Sequence, residues 1–382
     1  MRVAQIIDRV HLSGGAERLQ RTFAEAIDPR EIELTVITLR EGLPESETEL
    51  SDLGVRIARF PAERFSDLRR ISALVRFVRA ERFDLLHAHL VRSTILAGIA
   101  GPLSGTPVVA TLHNTRRRSG VGPALRIAER YVLRRVARRV IAVGWETARV
   151  QGDALGDRPI DVIPNAVAEP RVLSAQERAE TRHELGVPDG APLLISVGRL
   201  VPQKALSDLL RAFAQLPDHP VAPQLRIAGR GRLEAPLARE IESLGLGGRA
   251  RLLGLRSDVP RLLAASDLYV SSSHWEGLPL AILEAMAAGL PVVATEVGDA
   301  PRAIGLDSGV LVSPRDPAAL ARAIADLLAD PVRLRELGTA GRARVRATFG
   351  AQAWVERHKA LYAEVVEQRH SGTRWEVNRC VS

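Results

Sequence analysis

Leu268-Tyr-Val-Ser-Ser-Ser-His-Trp-Glu276-Gly-Leu-Pro-Leu-Ala-Ile-Leu-Glu284-Ala-Met-Ala-Ala-Gly289-Leu-Pro-Val-Val-Ala-Thr295 reads as strand, turn, helix and strand. Leu268–Ser272 and Val292–Thr295 are short apolar runs of the kind a buried strand needs. Gly277 and Pro279 mark the turn, and 279–288 reads as a helix. Two apolar strands joined by a helix favour parallel pairing, with both sheet faces covered. The rhythm extends outward. Val3–Ile7, Leu34–Leu39, Asp84–Leu90, Val108–His113 and Val140–Val143 form an early set. Leu193–Val197, Leu225–Ala228, Arg251–Leu255 and Val310–Val312 belong with the quoted pair. Helical segments lie between them, so the fold class is α/β with doubly wound parallel sheets.

A chain of 382 residues is long enough for two such sheets, each with a full core. Pro164, Pro170, Gly186, Pro188, Gly190 and Pro192 cluster around a polar helix from Ser174 to Leu185. The expected division is a first domain over 1–168, a linker over 169–190 and a second domain over 191–350. A C-terminal helix and tail over 351–382 are expected to cross back to the first domain. Ligands of doubly wound sheets collect beyond the C-terminal ends of the strands, so two facing domains would form a cleft.

With 46% hydrophobic and 26% charged residues the chain is globular, not disordered. The single cysteine, Cys380, excludes a disulfide framework or a Cys-based zinc site within the chain. The start, MRVAQIIDRV, is too short and too charged for a signal peptide, and a cytoplasmic location is expected. Residues 93–112 are uncharged but hold Gly98, Gly101, Pro102, Gly105 and Pro107, so a helix end, a turn and a strand are expected there rather than a membrane span. Of 53 basic residues all but Lys204 and Lys359 are Arg.

Several strand ends carry polar groups. Ser13-Gly14-Gly15-Ala16-Glu17-Arg18 follows the first strand, where a tight turn and helix N–H groups suit an anion; the plain alternative is an ordinary βα turn. His87 and His89 stand two apart on a strand and face one side, as a hydrogen-bonding or a metal pair. No third ligand has evident spacing, and no metal is expected. His113 ends the next strand. Arg199 and Lys204 follow Leu193–Gly198; a fork-shaped and a point cation suit a diphosphate, unless both are plain surface cations. Glu276 lies in a loop and Glu284 about a turn into a helix whose first N–H groups, at Leu278 and Leu280, suit a phosphate. Helix-start carboxylates also simply favour the macrodipole. No P-loop, HExxH, GxSxG or Asp-x-Asp occurs, which argues against P-loop phosphoryl transfer, zinc proteolysis and serine hydrolysis.

Taken together these stretches resemble the group 1 glycosyltransferases, glycosyltransferase family 4 of GT-B fold. The residues are Gly14-Gly15-Ala16-Glu17, His87-Ala-His89, Thr111-Leu-His113-Asn114, Val162-Ile-Pro-Asn165, Val197-Gly-Arg199 through Lys204, Ile227-Ala-Gly229, Leu253-Gly-Leu255-Arg256-Ser-Asp258, and Glu276 through Thr295. The resemblance implies two Rossmann-like domains facing across a cleft. It implies a retaining transfer from a UDP- or GDP-sugar to a hydroxyl acceptor, lipid-linked or part of a cell-surface glycan. Arg199 and Lys204 would neutralise the departing diphosphate, Glu284 would bond ribose hydroxyls, and Glu276 would meet the donor sugar. Gly15, Gly229, Leu255, Gly277, Leu278 and Leu280 would line the donor site. His113 would reach the reacting centre, with Glu17, Arg18 and His89 on the acceptor side. A metal would not be required, and no cofactor is expected. Three positions depart from the pattern: Ala205 where Gly usually follows the Lys, Arg230 where Asp is usual, and Gly298-Asp-Ala-Pro-Arg302 without the usual Gly-Gly and Glu. Ala205 suits a helix start. A nucleotide-sugar epimerase and a non-catalytic nucleotide-sugar-binding subunit are the rival readings.

The basic residues are placed unevenly. From 85 to 140 there are Arg92, Arg116, Arg117, Arg118, Arg126, Arg130, Arg134, Arg135, Arg138 and Arg139 against one acid, Glu129. Ala124–Val140 reads as an amphipathic helix with Ile127, Ala128, Tyr131, Val132, Val136 and Val140 at helical spacing and Arg126, Arg130, Arg134 and Arg138 on a cationic face. An anionic membrane surface, at the inner face of the plasma membrane, is the expected partner. With Tyr131 alone nearby for base stacking, nucleic acid is not expected.

Overall fold

The computed structural model describes residues 1–10, 15–61, 67–113 and 122–370. They form two compact units, one of Met1–Ala166 with the chain from Ala351, the other Val167–Gly350. In the first unit the strands are β1 (Arg2–Ile7), β2 (Glu33–Thr38), β3 (Arg56–Arg59), β4 (Leu85–His89), β5 (Val108–Leu112), β6 (Arg139–Ala142) and β7 (Asp161–Val162). They pair in parallel in the order β3-β2-β1-β4-β5-β6-β7. In the second unit β8 (Leu193–Val197), β9 (Gln224–Ala228), β10 (Ala250–Gly254), β11 (Leu268–Ser271), β12 (Val292–Thr295) and β13 (Val310–Val312) run in the order β10-β9-β8-β11-β12-β13, again parallel.

Central strands are the apolar ones. Every residue of β4, β5, β11 and β12 is buried, as covering helices on both faces require. The strands not anticipated, β3 and β7, are edges: β3 exposes Arg56 and Arg59, and β7 is two half-buried residues long. Strand order reverses between β1 and β4, and between β8 and β11. Those switch points open a crevice at the C-terminal strand ends.

The stretch 169–190, expected as a linker, belongs to the second unit. Its helix Ala175–Glu184 starts on a capping box in which Ser174 Oγ accepts from the Glu177 N–H and Glu177 accepts from the Ser174 N–H. Arg178 and Arg182 then bond Asp267 at 2.5 and 2.9 Å, and Asp267 also accepts the Leu193 N–H at 2.7 Å. One carboxylate thus ties this helix to the start of β8.

The basic segment is not a single helix to Val140. A helix runs Pro123–Tyr131, a π-helical turn covers Val132–Val136, and extended Ala137 leads into β6. Val140 is sheet core, so its place in the helical spacing was fortuitous. The uncharged stretch 93–112 folds as a helix, Val91–Ser104, followed by a turn and β5. The C-terminal helix Ala351–His370 packs within the first unit, where Trp354 and Tyr362 meet the Phe23 ring at centroid distances of 5.6 and 6.4 Å. The tail beyond 370 lies outside the described residues.

Asp267→Ala strands two guanidinium groups, one of them mostly buried. Urea unfolding of the variant is expected to show a loss of about 2–4 kcal/mol; a change under about 0.5 kcal/mol would remove the tie.

Candidate functional site

In the second unit the site grows from two strand ends. After β8 the chain passes Gly198 and Arg199 and makes a 3-10 turn, Pro202–Lys204; after β11 it runs through Ser272, Ser273 and His274 to Glu276. The two loops are stitched together. The His274 N–H donates to the Gln203 carbonyl at 2.8 Å, and Ser272 Oγ donates to the Lys204 and Ala205 carbonyls at 2.9 and 3.0 Å. The stitching brings Lys204 Nζ to 2.6 Å from Glu276 Oε1. Ser273 Oγ donates to the same oxygen at 2.6 Å, and Gln203 Nε2 donates to Oε2 at 3.1 Å. Three donors therefore satisfy a carboxylate that is only 7% exposed. A small pocket beside Lys204 is lined by Ser196, Gly198, Tyr269, Ser271, Ser272 and Ser273.

Two glycines allow this closeness. Gly229, at the end of β9, has φ +149°, and a Cβ there would sit 1.8 Å from the Gly198 carbonyl oxygen. Gly298 has φ +56°, and a Cβ would sit 2.3 Å from the Glu276 carbonyl oxygen. Ala205 is no ordinary helix start. It adopts φ +46° and ψ +41° between the 3-10 turn and the helix Leu206–Ala214, a left-handed conformation that costs a non-glycine residue about 1–2 kcal/mol.

The remaining expected residues spread around this centre. The Arg199 side chain is exposed and unpaired among the described residues. The helix Leu280–Ala287 leaves its first N–H groups without intrahelical acceptors, and half-buried Glu284 lies one turn in. Leu278 is buried, Gly277 accepts the Asp299 N–H, and Leu255 is exposed after β10.

In the first unit β4 and β5 present three histidines. His87 is fully buried, with Nε2 2.6 Å from Thr111 Oγ1 and Nδ1 2.6 Å from the Tyr362 hydroxyl. His89, also buried, places Nδ1 3.0 Å from His113 Nε2. The His87 and His89 rings lie 4.2 Å apart, and His358 completes the cluster, 5.8 Å from His87. Burial pushes His87 and His89 well below the ordinary histidine range and brings His113 and His358 down to about 4. All four are neutral near pH 7. His89 faces His113, not an open surface, while His113 is half-exposed at the strand end. Among the described residues no group of three His, Cys, Asp or Glu is arranged to hold a metal ion. Gly15 begins the helix Gly15–Ala26 and Arg18 is half-buried on it; Ser13, Gly14 and the Glu17 side chain lie outside the described residues, as do Arg116, Arg117 and Arg118.

Arg126, Arg130, Arg134 and Arg138 are all exposed. Beside them Ile127 and Tyr131 are 70% and 63% exposed, so these apolar side chains face outward and not onto the sheet. Burial pushes Glu129, the one acid of the segment, up to about 7. No helix among the described residues is long and apolar enough to cross a membrane.

Reading residues alone missed Gln203, Ser273, His358 and Tyr362. The run Ser271-Ser-Ser273 closing an apolar strand was a usable signal. Nothing in the sequence ties His87 to Tyr362, 275 positions away.

The family model described as Glycosyl transferases group 1 matches residues 177–344, and that described as Glycosyltransferase Family 4 matches 13–169. The 2-deoxystreptamine N-acetyl-D-glucosaminyltransferase of Streptomyces fradiae is 32% identical, over 93% of this chain and 91% of its own length. The chain belongs to the group 1 glycosyltransferases. This glycosyltransferase also shares 30% identity with an Escherichia coli UDP-Gal:alpha-D-GlcNAc-diphosphoundecaprenol alpha-1,3-galactosyltransferase, over 60% of this chain and 62% of the other. Its fold is GT-B: the structure of Anabaena HepE in complex with UDP and glucose matches 95% of this chain and all of that one at a TM-score of 0.84 and 23% identity.

The buried histidines make the glycosyltransferase sensitive to acid. Above pH about 6.5 neither the folded nor the unfolded chain protonates them, and their packing is retained in full. Below that value the unfolded chain takes up protons that folded His113 and His358 refuse until about pH 4. The thermal midpoint is expected to fall as pH drops from about 6.5 to 4, with a shallower fall in His358→Gln; equal slopes in both proteins would contradict the assignment.

Proposed function

We propose that this enzyme transfers a sugar, with retention of anomeric configuration, from a UDP- or GDP-sugar to a hydroxyl of a lipid-linked acceptor at an anionic membrane surface. The observation that carries the donor half is the Lys204–Glu276 pair at the β8/β11 switch point. A diphosphate arriving there offers Lys204 a stronger counter-charge than one carboxylate. Glu276 keeps its Ser273 and Gln203 donors when the ammonium turns to phosphate, so the exchange leaves no orphaned charge. Arg199, exposed and unpaired, adds a fork-shaped donor. Both cations then stabilise negative charge as the nucleoside diphosphate leaves, the part a divalent ion plays in other transferases, and no metal is needed. The free N–H groups around Leu278 and Leu280 add to the phosphate site, with Gly229 giving close approach. Glu284 takes the ribose hydroxyls, and Gly277 and Leu255 lie toward the rest of the nucleotide. His113 contributes a neutral imidazole on the acceptor-binding unit, where Gly15, Glu17 and Arg18 lie at the start of one helix.

The named relatives have acceptors of two kinds, a small aminocyclitol in one name and a diphosphoundecaprenol lipid in the other. What favours the lipid here is that Arg126, Ile127, Arg130, Tyr131, Arg134 and Arg138 are all exposed within one short segment. Cations attract anionic headgroups at about 1 kcal/mol each, and exposed Ile and Tyr enter the interface. Such docking would hold the enzyme on the cytoplasmic leaflet.

Purified enzyme offered UDP- and GDP-sugars is expected to release nucleotide only when a membrane extract supplies acceptor. Conversion of the sugar without extract would make it an epimerase, and binding without turnover would make it a non-catalytic subunit. Lys204→Ala is expected to lower turnover at least about 100-fold with the fold intact. Glu284→Ala should mainly weaken donor binding, by about 1–3 kcal/mol. In co-sedimentation with anionic vesicles at low salt, the triple variant Arg126→Glu, Arg130→Glu, Arg134→Glu should lose the binding shown by the parent chain. If the parent fails to bind, the membrane reading falls.

A further inference from the structure

The histidine pair His89–His113 carries an assignment that distances alone do not state. One hydrogen must lie between His89 Nδ1 and His113 Nε2, 3.0 Å apart. Both rings are neutral, so each carries a single N–H, and two arrangements are possible.

In the first, His113 Nε2–H donates to His89 Nδ1. His89 must then hold its own hydrogen on Nε2. That atom is buried and has no hydrogen-bond partner among the described residues. His87 cannot serve it, because both His87 nitrogens are engaged. The Tyr362 hydroxyl lies 2.6 Å from His87 Nδ1 and Thr111 Oγ1 lies 2.6 Å from His87 Nε2. An orphaned N–H would thus sit in the core, the rarer and costlier kind of unsatisfied group. In the second arrangement His89 Nδ1–H donates to His113 Nε2, and the buried His89 Nε2 is a bare lone pair. His113 then carries its hydrogen on Nδ1, an atom with no partner among the described residues, on a ring that is half-exposed.

We infer that His89 is a positioning residue for His113: it donates from Nδ1 to His113 Nε2 and so makes His113 present an Nδ1–H donor at the end of β5. The ring is backed by His89, whose ring centroid lies 4.2 Å from that of His87. His87 is anchored in turn by Tyr362 of the C-terminal helix. His113 is therefore a hydrogen-bond donor to an oxygen of its ligand and not a base. Free imidazole prefers its hydrogen on Nε2, so Nδ1–H on His113 is a signature of the imposed contact. The inference rests on the proposed glycosyl transfer only in giving that donor a substrate oxygen to meet.

Histidine-selective nitrogen-15 labelling of the full chain, with a long-range proton–nitrogen correlation spectrum at neutral pH, reads the tautomers directly; loss of one signal set in His113→Asn assigns it. The expected result is His113 protonated on Nδ1 and bare on Nε2. The reverse would overturn the assignment, whatever the variants do. His89→Asn places an amide N–H near the position of Nδ1 and should keep the His113 signature. His89→Leu should release it to the Nε2–H form and lower kcat by about 100-fold with the donor KM little changed, and the Asn variant should recover most of that loss. An unchanged His113 tautomer in folded His89→Leu would also overturn the positioning role. If the spectra are as expected but His113→Asn turns over at the parental rate, the catalytic reading fails while the tautomer assignment stands.

Discussion

A parallel strand can follow its neighbour only if the chain crosses back over a sheet face, and that constraint organises everything else in the molecule. Every crossover returns the chain to the same starting edge, so all C-terminal strand ends in a unit point one way. Where strand order reverses, two loops diverge and leave backbone and side chains unhindered between them. The β8/β11 reversal holds Lys204 and Glu276, and the β1/β4 reversal lies beside the histidines of β4 and β5. Neither site required a special architecture. Each uses the place where a doubly wound sheet cannot pack against itself.

The two units solve the cost of buried polarity in different ways. The second buries opposite charges and surrounds them with donors: Glu276 is held by Lys204, Ser273 and Gln203. Such a pair contributes little net stability but remains exchangeable, since an incoming anion can replace one partner without leaving the other bare. The first unit keeps its groups uncharged. Four imidazoles and a phenol lie close together, and desolvation pushes each of these histidines down and the Tyr362 hydroxyl up. A neutral imidazole offers orientation and one donor in place of charge.

Much of this was legible in the residues because burial writes a strong pattern. β5, β11 and β12 are short, mostly apolar runs, and Leu268–Thr295 spells out strand, helix and strand. Edge strands β3 and β7 write no such pattern, being half-exposed and short. Spacing misled at Val140, where a helical period continued by chance across a π turn into β6. It misled again over Ala205, because propensity favours Ala in a helix while the local turn demands a left-handed residue there. The contacts that complete the sites were invisible for a topological reason. Gln203 meets Glu276 across 73 positions, and Tyr362 meets His87 across 275; no local rule spans either distance.

Charge placement follows from the same physics. The helix Pro123–Tyr131 leads into β6 on the outside of the first unit, and its turn of Val132 and Leu133 supplies the apolar contact to the core. On the helix itself Leu125, Ala128 and Glu129 are half-buried, while Ile127 and Tyr131 face outward. Exposed apolar groups on a monomer carry a solubility cost that scattered arginines offset. Here Arg126 and Arg130 share a helix with the apolar pair, Arg134 stands on the turn that follows and Arg138 just before β6. Burial also pushes Glu129 up to about 7, so the one acid of the stretch weakens as a counter-charge just where the cations gather.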